Sequence, residues 1–147
     1  MAKRLAVACV VMSVLIPCDA AAASKARAAE RAMVRAVNEA REDHGRRALR
    51  PSRRLTRSAG RLAAKLAKLD VLGHLESAPA GSGARGEALA RHRGWRARSR
   101  STVRRWLRSP SHRAVILGRF RTVGAGIKRG RIGGRLATVW VLHLRAP

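Results

Sequence analysis

The sequence predicts an α+β domain, with helices packed on a small antiparallel sheet, from three observations. Apolar residues step by threes and fours between residues 28 and 69, glycine and proline cluster between 70 and 86, and a period of two begins at Val123. Helices first and strands last is the order of an α+β fold rather than of alternating βα units. A chain of 147 residues, 46% of them hydrophobic, is long enough for one core and short for two.

The first element is an amphipathic helix over Ala28–His44, where Ala29, Met33, Ala36, Val37 and Ala40 share one face and Arg, Glu and Asn occupy the rest. Gly45 suits a stop, and the segment Arg46–Arg54, containing Pro51, is a basic connection. Leu55, Ala59, Leu62, Leu66 and Leu69 then define a second helix, with Ser52 placed to cap it. Asp70–Gly86 reads as a loop, and the first part of Arg91–Arg105 as exposed and irregular. From Ser101 a short helix buries Val103, Trp106 and Leu107. A further helix begins with Ser109 as cap and Pro110 in the first position and runs to Leu117. Val123, Ala125 and Ile127 alternate with small or polar residues, and Leu136–Leu144 is rich in β-branched and aromatic side chains. Glycines 130, 133 and 134 between them supply a turn, which predicts an antiparallel hairpin with one strand buried on both faces.

Residues 1–23 read as a secretory signal peptide: Met1-Ala2-Lys3-Arg4 is basic, Leu5–Cys18 is apolar, and Ala20–Ala23 offers small-residue cleavage sites. A membrane anchor or buried helix is the alternative, but the run is shorter than the roughly 20 apolar residues that a spanning helix needs. The mature chain, residues 24–147, then has no transmembrane segment and forms a single secreted or extracytoplasmic domain. Both cysteines, Cys9 and Cys18, fall in the leader, so the mature domain has no disulfide. Leu15-Ile16-Pro17-Cys18 also approximates a lipoprotein cleavage site with Cys18 lipidated, against which Pro17 fits poorly.

With 33 Lys and Arg against 8 Asp and Glu, the formal charge is +25. Such an excess attracts polyanions, with strong salt dependence. Export removes the usual nucleic-acid partner, which leaves anionic lipid or an acidic cell-wall polymer. The segment from Arg91 to Arg105 holds seven arginines in fifteen residues, Arg91, Arg93, Arg96, Arg98, Arg100, Arg104 and Arg105, with Trp95 among them placed to contact a glycan or lipid. The competing explanation is a solubilising surface produced by GC-rich coding.

His112 falls near the third position of its helix, where free backbone N–H groups favour neutral imidazole and suit it to accept a hydrogen bond or a metal. Its candidate partners are His74, in the predicted loop, and Glu87. Two imidazoles and a carboxylate can hold a zinc-like ion with an open position, or position a water. Taken separately, each can also be satisfied locally, His74 in its loop, Glu87 at a strand or turn, and His112 at its cap. His44 at a helix end, His92 in the basic stretch and His143 on the last strand have no partner that spacing identifies. No GxSxG, HExxH, CxxC or phosphate-binding loop occurs, and no mature Cys or Ser-His-Asp arrangement points to covalent catalysis.

The ordered segments Asn38-Glu39-Ala40-Arg41, Gly73-His74, Gly86-Glu87-Ala88-Leu89-Ala90, Trp106 with Ser109-Pro110-Ser111-His112-Arg113, and Val123-Gly124-Ala125-Gly126 together resemble the CAP superfamily. This is the group of cysteine-rich secretory, antigen 5 and pathogenesis-related proteins, here in its disulfide-free bacterial form. The resemblance spans about Arg31–Leu144 and implies an α-β-α sandwich with a cleft where two histidines and acidic residues can bind zinc or another divalent metal. By motif, His74 and His112 match the histidines, and Glu87 matches the carboxylate. Ala88 stands where Asn is usual, Val71 and Leu72 replace aromatic residues, and Leu107 and Arg108 occur where a second acid is found in many members, so at most three ligands remain. The resemblance does not by itself settle function. With the arginine excess it leads to the expectation of a binding or scaffold module at the cell envelope, using its cleft and its arginine-rich surface on an anionic lipid or wall polymer. A divalent-metal-dependent hydrolase using His74, Glu87 and His112 and a purely structural domain are the alternatives.

Overall fold

The computed structural model describes residues 18–73, 85–96 and 98–146. The chain forms α1 (Cys18–Glu42), β1 (Arg50–Pro51), α2 (Arg53–Lys68), β2 (Arg85–Arg93), α3 (Ser99–Arg108), α4 (Pro110–Leu117), β3 (Thr122–Ile132) and β4 (Arg135–Arg145). The sheet order is β1-β3-β4-β2. Its long ladders are antiparallel as expected, and β1 adds a two-residue parallel bridge to β3, so the sheet is mixed.

Alternation along β4 divides the core into two layers. Trp140, Leu142 and Leu144 point to one face, where Ala88 and Ala90 of β2 and Val123 and Ala125 of β3 meet Met33 and Val37 of α1, Val103 and Trp106 of α3, and Ile116 of α4. Val139 and Val141 point to the other face and meet Ala59, Ala63 and Leu66 of α2. The result is the α-β-α sandwich, with α1, α3 and α4 on one side of the sheet and α2 on the other. Both buried tryptophans are core residues, as expected. Trp106 donates its indole N–H to the Leu89 carbonyl at 2.9 Å, whereas the Trp140 indole N–H has no partner among the described residues.

The helix boundaries follow local chemistry. Ser52 caps α2 by accepting the Leu55 N–H at 3.3 Å. Leu69, expected on the buried stripe, falls at the C-cap and is exposed, because the helix has already left the sheet. In α1 the predicted face is buried, and the helix starts ten residues earlier than its periodicity, through an alanine-rich stretch of high helix propensity that is exposed at residues 20–25. The Gly133–Gly134 turn, with φ of 62° and 69°, joins β3 to β4 in the left-handed region that a two-residue hairpin requires. Gly130 belongs to β3 rather than to the turn.

Two segments differ from expectation. The basic connection contains β1, and the Arg50 and Ser52 N–H groups donate to the Arg121 and Val123 carbonyls at 2.9 and 2.8 Å. Arg91–Arg93, expected to be irregular, finishes β2, which pairs with β4 from Arg85↔Arg145 to Arg93↔Ala137. Alanine, arginine and glycine are weak strand formers, so nothing local announces this strand. The neighbouring β4 supplies its hydrogen bonds. The predicted leader up to residue 17 lies outside the described residues.

Candidate functional site

His74 lies outside the described residues. Glu87 and His112, the other two candidates, belong to opposite layers. Glu87 pairs across the ladder with His143, and its Oε2 is 3.0 Å from His143 Nε2 on the α2 side of the sheet. His143 Nδ1 lies in turn 3.1 Å from the Ser58 hydroxyl on α2. His112 sits at the third position of α4, with Nδ1 2.9 Å from the Ser109 hydroxyl and its ring stacked on Trp106 at 6.5 Å between centroids. Ser109 thus occupies the N-cap position, but its side chain makes no capping bond to the backbone and faces the imidazole instead. Helix α4 adjoins the start of β2 at Gly86, where a Cβ would meet Phe120 at 2.8 Å and Val115 at 3.1 Å.

The Ser58–His143–Glu87 chain corrects the expectation that His143 has no partner and that no Ser-His-carboxylate arrangement exists. The three groups form a hydrogen-bonded chain between α2 and the sheet. Ser58 is internal to α2, where the surrounding backbone N–H groups are committed to carbonyls one turn back and offer no oxyanion site from that helix. The chain links α2, β4 and β2 through partly buried groups. Among the described residues, no group of three or more His, Cys, Asp or Glu side chains is placed to hold a metal ion. Glu87 and His112 by themselves do not make a metal centre.

Three functionally interesting residues have no signal in the pattern of apolar positions. Arg41, 2% exposed, sends its guanidinium across the helical layer to the carbonyls of Arg47 at 2.9 Å, Ile116 at 2.6 Å and Gly118 at 3.0 Å. Burial, and then the charge of Arg46, push its pKa down from the ordinary arginine value. Asn38, one turn away, accepts the Leu49 N–H at 2.9 Å and donates to the Leu49 carbonyl at 3.0 Å, replacing a missing strand neighbour. These bonds account for Asn38 and Arg41 in the Asn38–Arg41 motif. Glu30, on α1, receives the Ile127 N–H. Burial pushes its pKa up, while that hydrogen bond, Arg27 and Arg31 oppose the shift.

The arginine segment lies on a strand–turn–helix support. All seven predicted polyanion-binding side chains, from Arg91 to Arg105, are exposed. Arg100 pairs with Glu39 of α1 at 3.2 Å, an exposed contact of small energetic value, and Arg105 donates to the Arg91 carbonyl at 2.9 Å. Trp95, 52% exposed, lies under the guanidinium of Arg129 at 5.5 Å.

His92 is half-buried in this segment. Thr102 donates its hydroxyl to the Arg98 carbonyl at 2.6 Å, so it accepts from His92 Nε2, also at 2.6 Å, and the ring carries its proton there. Burial, then Arg105 and Arg98, lower the His92 pKa from its ordinary value of 6.5. The unfolded chain therefore takes up a proton at this site before the folded one. Stability is expected to be full above about pH 6.5 and to fall as pH drops below it. Thermal midpoints measured downward from neutral pH should show this decline, and His92→Gln, which keeps a donor but cannot titrate, should flatten it.

The layered fold and the positions of these motifs define a three-layer α-β-α sandwich domain. The model of the cysteine-rich secretory protein family (CAP) matches residues 34–144, and the chain belongs to this family. Among solved structures, it is similar to an outer surface protein from Borrelia burgdorferi. Sequence identity is 18% and the TM-score is 0.60 over 79% of this chain and 90% of that one. It is also similar to an extracellular protein containing an SCP domain from Bacillus anthracis str. Ames. Identity there is 14% and the TM-score is 0.62 over 82% of this chain and 41% of that one. A comparison with curated protein sequences gives no match. Among the described residues, no helix is long and apolar enough to cross a membrane.

Proposed function

We propose that this protein is an extracytoplasmic CAP-domain binding module, held to an anionic component of the cell envelope by its arginine-rich surface. The observation that supports this reading is the exposure of all seven arginines between Arg91 and Arg105 on one strand–turn–helix segment. A charge excess of +25 gives that segment few carboxylates with which to neutralise itself. A location outside the cytoplasm is supported by the export reading of residues 1–23 and by the surface and extracellular descriptions of the two similar structures.

The test is retention on anionic vesicles and on cell-wall fragments at rising salt. Retention should be strong at low ionic strength and should weaken as salt screens the contact. Replacing Arg96, Arg98 and Arg104 together with Gln should weaken retention at least about tenfold, since each arginine near an anionic surface contributes on the order of 1 kcal/mol. Retention that does not change with salt, or none on either material, would refute the proposal.

A further inference from the structure

The described chain exposes five large apolar side chains, Leu69, Val71, Leu72, Trp95 and Leu136, and all five lie at one end of the sandwich. The end is built by three converging segments. Leu69–Leu72 leaves the C-terminus of α2, Leu136 opens β4 just after the hairpin turn, and Trp95 follows β2. Hydrogen bonds hold these segments together. The Asp70 carboxylate accepts the Gly134 N–H at 2.9 Å, tying α2 to the hairpin tip. The Gly94 N–H donates to the Leu136 carbonyl at 2.9 Å, and the Thr138 hydroxyl donates to the Gly94 carbonyl at 2.8 Å, tying Trp95 to β4.

Arginines surround this apolar end. Leu72, Ile132 and Leu136 line an open groove with Arg91, Arg93 and Arg135, and Arg129 lies over the Trp95 ring. The ladder register puts this end six residues from the Glu87–His143 pair, about 20 Å at the usual rise of a strand. The patch is thus separate from the Glu87–His143 pair.

We infer that this end is a membrane-docking face, on which Leu69, Val71, Leu72, Trp95 and Leu136 enter the interfacial region of an anionic bilayer while the surrounding arginines bind its headgroups. The inference deepens the proposed function, on which it rests, by choosing lipid as the anionic component and the hairpin end as the contact. Charge complementarity selects the occupant. A second copy would bring arginines against arginines, and a hydrophilic wall polymer would meet the cations but leave the apolar side chains in water. A bilayer with anionic headgroups satisfies both, and an exposed tryptophan with a polar N–H on an apolar ring suits its interface.

Trp95 also provides the measurement, because Trp106 and Trp140 are already buried, at 2% and 0% exposure. The full chain is mixed with phosphatidylcholine vesicles with and without phosphatidylglycerol, and separately with heparin as a soluble polyanion. On the phosphatidylglycerol vesicles, tryptophan emission should shift to the blue and become quenchable by brominated acyl chains, whereas heparin should bind without either change. A triple variant, Val71→Ser, Leu72→Ser and Leu136→Ser, should lose at least about tenfold in vesicle partitioning and keep its heparin affinity. The apolar N-terminal run is common to parent and variant, so the difference between them belongs to the patch. Vesicle binding with unmoved Trp95 emission, or a variant that partitions as well as the parent, would overturn the docking face. Salt-dependent binding to heparin and wall fragments without binding to vesicles would overturn it too, while leaving the proposed function standing. Binding to none of the three would remove both.

Discussion

Gly126→Ala is expected to destabilise the protein by at least about 3 kcal/mol, an unusually large effect for adding one methyl group. Strand β3 turns Gly124, Gly126 and Gly130 toward α2, and the helix backbone lies directly on them. A Cβ at Gly126 would stand 2.3 Å from the Ala59 carbonyl carbon and the Gly60 nitrogen. One at Gly124 would stand 2.1 Å from the Thr56 nitrogen. These neighbours are main-chain atoms of a regular helix, so no side chain can rotate out of the way. Relief requires lifting α2 from the sheet, which would open the layer formed by Ala59, Ala63, Leu66, Val139 and Val141. Gly130 is less strict, because its nearest neighbour is the Ala67 methyl at 2.7 Å. The control is Gly60→Ala. That glycine is inside α2 with nothing within 4 Å of its Cβ position, so alanine should stabilise by up to about 1 kcal/mol through helix propensity. Urea denaturation midpoints for the two variants, moving in opposite directions, would check the close-approach argument. A Gly126→Ala protein as stable as the parent would contradict it.

Arg41→Ala should cost at least about 3 kcal/mol, because three carbonyls lose their donor and a buried acceptor left unsatisfied costs about 1–3 kcal/mol. Arg41 is the bolt of the α1–α4 layer. It joins the end of α1 to the connection at Arg47 and to the last carbonyls of α4 at Ile116 and Gly118. Those α4 carbonyls are among the groups a helix C-terminus leaves without an internal partner, so a buried cation satisfies both a hydrogen-bond need and the helix dipole. Truncation leaves acceptors without their donor and a cavity beneath them. Arg41→Lys should recover little, because a single ammonium cannot reproduce the fork that serves separated carbonyls. Denaturant midpoints give the energies. Amide exchange should locate the damage in α4, with Ile116 and its neighbours losing protection before the α2 layer does.

Legibility in the sequence follows from how far each determinant reaches along the chain. Helices α1, α2, α3 and α4 and the β3–β4 hairpin announce themselves through periodicity, the Ser52 cap, Pro110 and the Gly133–Gly134 turn, all local signals. Strand β2 does not, because its alanines and arginines become a strand only by pairing with β4, a segment distant in the chain. The candidate site divides in the same way. Glu87 and His112 stand out by motif, yet the partner of Glu87 is His143, which becomes visible only once the ladder register is known. Ser58 completes that chain because α2 crosses the sheet above it, and no spacing rule connects residues 58, 87 and 143. The exposed arginines were legible from charge alone. Their grouping beside five apolar side chains was not, since Leu72, Trp95 and Leu136 come from three segments.

The helices, the hairpin, the family and the sign of the surface are therefore written in the order of the residues alone. Periodicity, capping chemistry, motif order and net charge act within a few residues or over the whole composition, and neither needs coordinates. Which polar groups meet, and which apolar groups stay in water, emerges only from the packed molecule. Contact between distant segments depends on strand register and on which side of the sheet each helix packs. A slip of one residue in β2 would turn Glu87 to the opposite face and away from His143.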